Sequence, residues 1–85
     1  MKKFSYVLTN GAALHSKAMN LLSREAARFS SRISLSDGEK NVPASEPQSV
    51  LEMYIRSGSR VTVTVEGMDE EAAVAAMQNY FVANM

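Results

Sequence analysis

Residues 60–66 alternate strictly between apolar and polar side chains, and this stretch constrains the fold more than any other part of the chain. Every second residue is a valine, at Val61, Val63 and Val65, and the residues between them are charged or carry hydroxyl groups. This alternation is typical of a β-strand with one buried face and one hydrated face. Such strands favour an antiparallel sheet that is covered on one side only. The rest of the chain must therefore supply partner strands and a layer of helices.

Three further strands are predicted. Residues 2–9 alternate as a first strand, and residues 32–42 are predicted to form a hairpin around an Asp-Gly dipeptide, which suits a tight turn. The returning strand of the hairpin, residues 40–42, is expected at the edge of the sheet, because Pro43 cannot donate a ladder hydrogen bond.

Three segments have the periodicity of helices. The first begins at Ser16 and is expected to end near Ser30–Ser31; the second is short and runs from Pro47 to about Met53, since proline suits the first helical position. The third opens with the acidic residues 69–71, where the helix dipole favours negative charge. The order β-α-β-β-α-β-α predicts a single α+β domain over residues 1–85, an open-faced β-sandwich in which three helices cover one face of a four-stranded antiparallel sheet.

Composition excludes several classes of function. Nine acidic residues balance nine basic ones, and the zero net charge argues against binding to nucleic acid. The chain has no cysteine and one histidine, so we expect no metal site and no cofactor. The longest wholly apolar run, Ala72 to Met77, is too short to span a bilayer. Polar residues also interrupt the signal-like start, and we therefore expect a mature cytoplasmic protein that does not insert into membranes.

The single histidine, His15, directly precedes the first predicted helix. The first amides of a helix have no intrahelical partner and lie at the positive end of its dipole, which makes an anion site. A neutral imidazole is abundant near pH 7 and can act as a nucleophile. Two interpretations are open: His15 accepts a phosphoryl group whose oxygens bind the amides of Ser16 and Lys17, or it only helps to cap the helix.

The segment Leu14-His15-Ser16-Lys17-Ala18 resembles HPr, the histidine-containing phosphocarrier of the bacterial sugar phosphotransferase system. The resemblance covers the whole chain and includes the Asp-Gly hairpin, the valine strand and Gly67-Met68-Asp69-Glu70. It implies that the δ nitrogen of His15 takes phosphate from Enzyme I and passes it to sugar-specific EIIA domains, with Ser16, Lys17 and Ala18 binding the phosphate. It also implies a monomeric carrier of phosphoryl groups rather than a standalone enzyme.

The segment departs from the family pattern around the histidine. Ala13 occupies a position where the family usually has glycine, and Met19 is larger than the usual small residue. Lys17 replaces the family's arginine, which keeps the positive charge but loses the rigid fork that binds phosphate bidentately. An alternative function is therefore open, namely an HPr-like regulatory or protein-binding module with slow or absent phosphotransfer.

Glu46 matches the serine that a dedicated kinase phosphorylates in many HPr proteins, with weaker engagement of Enzyme I as the result. A glutamate cannot be phosphorylated, and it carries a fixed negative charge. Either the charge of Glu46 simply interacts favourably with the dipole of the second helix, or it permanently weakens the encounter with Enzyme I.

A basic face continues along the first helix beyond Lys17. The resemblance implies that this helix and the second helix contact acidic, partly apolar surfaces of partner proteins. The implied docking surface consists of Arg24, Ala27, Arg28, Gln48 and Leu51. The alternatives are a solvated basic helix face and, for Leu51, a place in the core.

Overall fold

The fold is taken from a computed structural model that describes residues 1–8, 16–53 and 58–84. Its elements follow the predicted order, and the α+β open-faced sandwich is confirmed. They are β1 (Lys2–Val7), α1 (Ser16–Ala27), β2 (Arg32–Ser36), β3 (Asn41–Pro43), α2 (Pro47–Leu51), β4 (Arg60–Glu66) and α3 (Glu70–Asn84).

The four strands form one antiparallel sheet in the order β1-β4-β2-β3. β4 lies inside the sheet, where Val63 faces Phe4 of β1 on one side and Leu35 of β2 on the other. The strand predicted from the valine alternation therefore has the predicted bounds, and all three of its valines are buried. β3 lies at the edge, as Pro43 indicated, although it includes Pro43 and begins one residue later than expected.

The hydrophobic core lies between the sheet and the three helices. α1 contributes Leu22, α2 contributes Val50, and α3 contributes Met77 and Phe81, all of them buried. The Phe81 ring meets the rings of Phe4 and Tyr6 edge to face, with centroids 5.6 and 5.7 Å apart. These contacts fix α3 against β1 and make the apolar face of the first strand part of the core.

α1 ends at Ala27, so the predicted end near Ser30–Ser31 is wrong. The amides that would continue the helix have other acceptors. The backbone N–H groups of Ser30 and Ser31 donate to the Asp69 carboxylate at 3.0 and 2.9 Å, and the Ser31 hydroxyl donates to it as well. A side chain at the start of α3 thus binds the connection between α1 and β2.

The turn before α3 brings two stretches of backbone into close contact. Gly67 has a φ of 155°, and a Cβ placed on it would lie 2.6 Å from the Cα of Ser31. Only glycine fits at this point. Of the helices in the three described ranges, none is long and apolar enough to cross a membrane.

Candidate functional site

The start of α1 supplies the backbone for the predicted phosphate site. Ser16, Lys17 and Ala18 form its first turn, and this turn contains no acidic residue. The N–H groups of a first turn point toward the N-terminal end of the helix, which is the end that His15 precedes in the sequence. His15 itself lies outside the described residues, as do Ala13 and Leu14. The structure therefore describes the backbone of a potential anion site at α1, without its histidine.

The predicted docking residues lie on α1 and α2, which pack against each other, except for Arg28, which directly follows α1. Four of the five are exposed, and Leu51 is half-buried against the core. Leu51 therefore contributes to packing and still presents part of its side chain to solvent. The five residues lie on neighbouring elements, an arrangement that permits one continuous surface.

Arg24 and Arg28 differ in their electrostatic surroundings. Arg24 makes no ion pair with any residue that the structure describes. The Nη1 atom of Arg28 donates to both carboxylate oxygens of Glu25, at 2.9 and 3.2 Å. The Arg28 guanidinium also lies 5.9 Å from the centroid of the Phe29 ring. Burial, together with the charge of Glu25, raises the pKa of Tyr80 on α3.

A groove of about 350 Å³ separates α1 from the start of α2. Its lining residues are Asn20, Ser23, Arg24, Ala27, Ser45 and Pro47. The groove joins the α1 half of the docking surface to the first residues of α2. Ser23 is buried, and its hydroxyl has no hydrogen-bond partner among the residues that the structure describes.

Glu46 precedes α2 with an extended backbone, φ −106° and ψ 97°. Its carbonyl accepts the first bond of the helix, from the amide of Val50 at 3.1 Å. The Glu46 carboxylate does not cap the helix, and it accepts a hydrogen bond from the Ser49 hydroxyl at 3.0 Å. Glu46 is therefore an exposed negative charge between Ser45 and Pro47, two residues that line the groove.

A family comparison decides what kind of protein carries this site. Residues 2–83 match the family described as the PTS HPr component phosphorylation site, where PTS denotes the phosphotransferase system. The chain belongs to the HPr family. HPr proteins are phosphocarriers of that system, and the match extends over almost the whole chain, so this chain is a phosphocarrier of the HPr type.

Individual HPr proteins agree with this assignment. The phosphocarrier protein HPr of Mycoplasma capricolum is 30% identical to the chain, over 96% of this chain and 92% of that protein. The solved structure of HPr from Thermoanaerobacter tengcongensis superimposes with a TM-score of 0.92, at 27% identity over 99% of this chain and 94% of that one. A solved mycoplasma histidine-containing phosphocarrier protein gives a TM-score of 0.91, at 29% identity over 96% of this chain and 93% of that one.

Two features of this HPr surface were not predicted from the sequence. The first is the pairing of Arg28 with Glu25, which the i, i+3 spacing of a glutamate and an arginine could have indicated. The second is the groove, because Asn20 and Ser45 reach it from segments that only the packing of α1 on α2 brings together. Within the described ranges, no three histidine, aspartate or glutamate residues are grouped to hold a metal ion.

Proposed function

We propose that this chain accepts a phosphoryl group on His15 from Enzyme I and passes it to EIIA-type proteins in the cytoplasm. The nucleophile is the lone pair of the imidazole Nδ1 atom. A bond between Nδ1 and phosphorus forms while the bond from phosphorus to phospho-Enzyme I breaks. Attack by Nδ1 of the Nε2-protonated tautomer leaves both ring nitrogens substituted, so the phosphorylated ring forms as an imidazolium and becomes neutral when Nε2 releases its proton to water. Transfer to EIIA repeats the exchange with His15 as the leaving group.

The observation that carries this proposal is the position of His15 immediately before α1 in a chain of the HPr family. α1 begins at Ser16, with no acidic residue in its first turn. The amides of Ser16, Lys17 and Ala18 supply donors without intrahelical acceptors, at the positive end of the dipole. The Lys17 side chain adds a positive charge, although as an ammonium it binds phosphate with less directional specificity than a guanidinium.

The docking surface would receive an acidic partner. Arg24 supplies an unpaired charge among the described residues, Ala27 leaves room for a close approach, and Leu51 supplies partly exposed apolar area. Electrostatic matching of this kind increases the rate of encounter more than the affinity, which suits a carrier that must dissociate after each transfer.

Intact-mass measurement tests the proposal. The protein is incubated with phosphoenolpyruvate and its cognate Enzyme I, and the mass is measured at alkaline pH, where phosphohistidine survives. We expect one phosphate adduct on the unmodified chain and none on His15→Ala. No adduct on the unmodified chain would overturn the carrier function, and an adduct that persists on His15→Ala would overturn the assignment of the site.

A second candidate function is an HPr-like regulatory or binding module that transfers phosphate slowly or not at all. It is favoured by the fixed charge of Glu46 between two residues that line the groove, since that charge opposes an acidic partner. In the same assay this candidate predicts a chain that binds a partner through the docking surface and remains unphosphorylated.

A further inference from the structure

The two arginines of the docking surface are not equivalent as binding groups. Arg24 is exposed and unpaired among the described residues, whereas the Nη1 atom of Arg28 contacts both oxygens of Glu25. A carboxylate bound to a guanidinium reduces the attraction that this guanidinium exerts on an approaching acidic group. Of the two docking arginines, Arg24 alone has no carboxylate bound to it among the residues that the structure describes.

Glu25 is the more constrained member of the Glu25–Arg28 pair. Its side chain is 24% exposed, against 68% for Arg28. Glu25 lies near Tyr80 of α3, whereas Arg28 follows the last residue of α1 and lies over the Phe29 ring. Phe29 in turn packs against the core. The Arg28 guanidinium thus contacts a carboxylate and lies over an aromatic ring, while most of its side chain stays exposed.

We infer that Glu25 weakens partner docking, because its carboxylate accepts hydrogen bonds from the Arg28 guanidinium that would otherwise bind the partner. This inference rests on the proposed function and concerns the same docking surface. An acidic side chain of the partner must displace Glu25, or bind the remaining N–H groups of the Arg28 fork, before Arg28 contributes. The pair lies at the surface, where ion pairs are weak, so displacement is easy and the effect of Glu25 is a graded reduction rather than a block.

The competing explanation is that the pair only stabilises the end of α1. Glutamate and arginine at this spacing support helices by a small amount, whatever the partner does. A stabilising role would change the free energy of unfolding and leave the docking rate unchanged. A double-mutant cycle on the docking rate distinguishes the two roles, because it isolates the coupling between Glu25 and Arg28.

The cycle uses Glu25→Gln, Arg28→Gln and the double variant, with the rate of phosphate acceptance from Enzyme I as the readout. We expect Glu25→Gln to raise the second-order rate constant at low ionic strength by roughly two- to fivefold, with a steeper dependence on salt. In the Arg28→Gln background the same change should have almost no effect. Glu66→Gln is the matched control, since it removes one negative charge from an exposed residue on the open face of the sheet.

Three results would overturn the inference: an unchanged rate for Glu25→Gln, an equal gain for Glu66→Gln, or a gain that persists without Arg28. A second measurement does not depend on Enzyme I. Nitrogen-15 NMR should show guanidinium resonances of Arg28 that shift in Glu25→Gln and stay unchanged in Glu66→Gln. Arg28 resonances that do not move in Glu25→Gln would refute the pair itself. Failure of every variant, the unmodified chain included, to accept phosphate would refute the proposed function instead.

Discussion

At the scale of single residues, Ser23 has a hydroxyl where the buried side of α1 otherwise has apolar groups such as Leu22 and Ala26. It is 4% exposed, and its Oγ atom finds no hydrogen-bond partner within the described part of the chain. A buried polar group in this state costs roughly 1–3 kcal/mol relative to a satisfied one.

We therefore expect Ser23→Ala to raise the free energy of unfolding by about 1 kcal/mol, because it removes the unsatisfied group and leaves little new space. Urea denaturation measures the change. Ser49→Ala is the control, since its hydroxyl is bonded to Glu46 and its removal should not stabilise the protein. A less stable Ser23→Ala variant would contradict the prediction.

A regulatory role for Glu46 is a prediction that one substitution tests. Replacement by serine removes the fixed charge beside the residues that line the groove, and we expect Glu46→Ser to accept phosphate from Enzyme I about twofold faster at low salt. Stopped-flow measurement of the transfer gives the rate. Glu52→Gln, an exposed acid at the other end of α2, should change it less. Equal rates for Glu46→Ser and the unmodified chain would show that the Glu46 charge only interacts favourably with the dipole of α2 and does not affect docking.

At the scale of elements, the sequence patterns of β4 and α3 predicted their structures, because each element buries one face against the same hydrophobic core and the pattern marks that face. Val61 and Val65 alternate and are buried as expected, and Met77 and Phe81, which recur at helical spacing, are buried as well. The end of α1 was not predictable in this way. It depends on hydrogen bonds from Ser30 and Ser31 to a carboxylate 38 or 39 residues further along the chain.

In the candidate site too, local features were predictable from the sequence and features that depend on tertiary packing were not. The position of the helix after His15 and the exposure of the docking arginines were predictable from local patterns. The groove and the pairing of Glu25 with Arg28 were not predicted. The groove depends on the packing of α1 against α2, and the pairing depends on one side-chain rotamer. The phosphate-accepting role of His15 stays a prediction.

The turn before α3 allows a test of close packing between elements. We expect Gly67→Ala to lower the free energy of unfolding by about 2–3 kcal/mol, since the new methyl group meets the backbone of Ser31 and the local φ is strained. Gly38→Ala is the matched control: its φ of 99° is also unfavourable, but no atom lies within 4 Å of the added carbon. Its cost should be about 1 kcal/mol. Equal losses in urea denaturation would show that the contact with Ser31 is not limiting.

At the scale of the whole molecule, three carboxylates couple stability to pH. Hydrogen bonds from the Ser31 side chain and the Ser30 amide lower the pKa of Asp69, and backbone N–H groups of Lys40 and Glu39 lower that of Asp37. The N-terminal amine and the Gly67 amide lower the pKa of Glu70. A carboxyl group with a lower pKa in the folded state contributes stability above its unfolded pKa, and that contribution disappears as the pH falls through the folded pKa.

We therefore expect the melting temperature to be level near neutral pH and to fall progressively below about pH 4. The Asp69→Asn variant should be less stable at pH 7 and should lose less stability on acidification, because it lacks one of the coupled groups. Calorimetry across the pH range measures both effects. Parallel pH profiles for the two proteins would contradict the role of Asp69.

The strand order β1-β4-β2-β3 also determines when the sheet can assemble. In the described ranges β1 pairs with β4 alone, and β4 is the last of the four strands to leave the ribosome. A nascent chain that ends before Arg60 holds a hairpin and a first strand without a partner, together with an α1 whose apolar face has little to cover. The complete sheet can therefore fold only after β4, which ends at Glu66, has been made. Its formation then joins segments that are far apart in sequence, and such steps are slow. Shortened products that lack β4 should be substrates for proteases rather than partly active carriers.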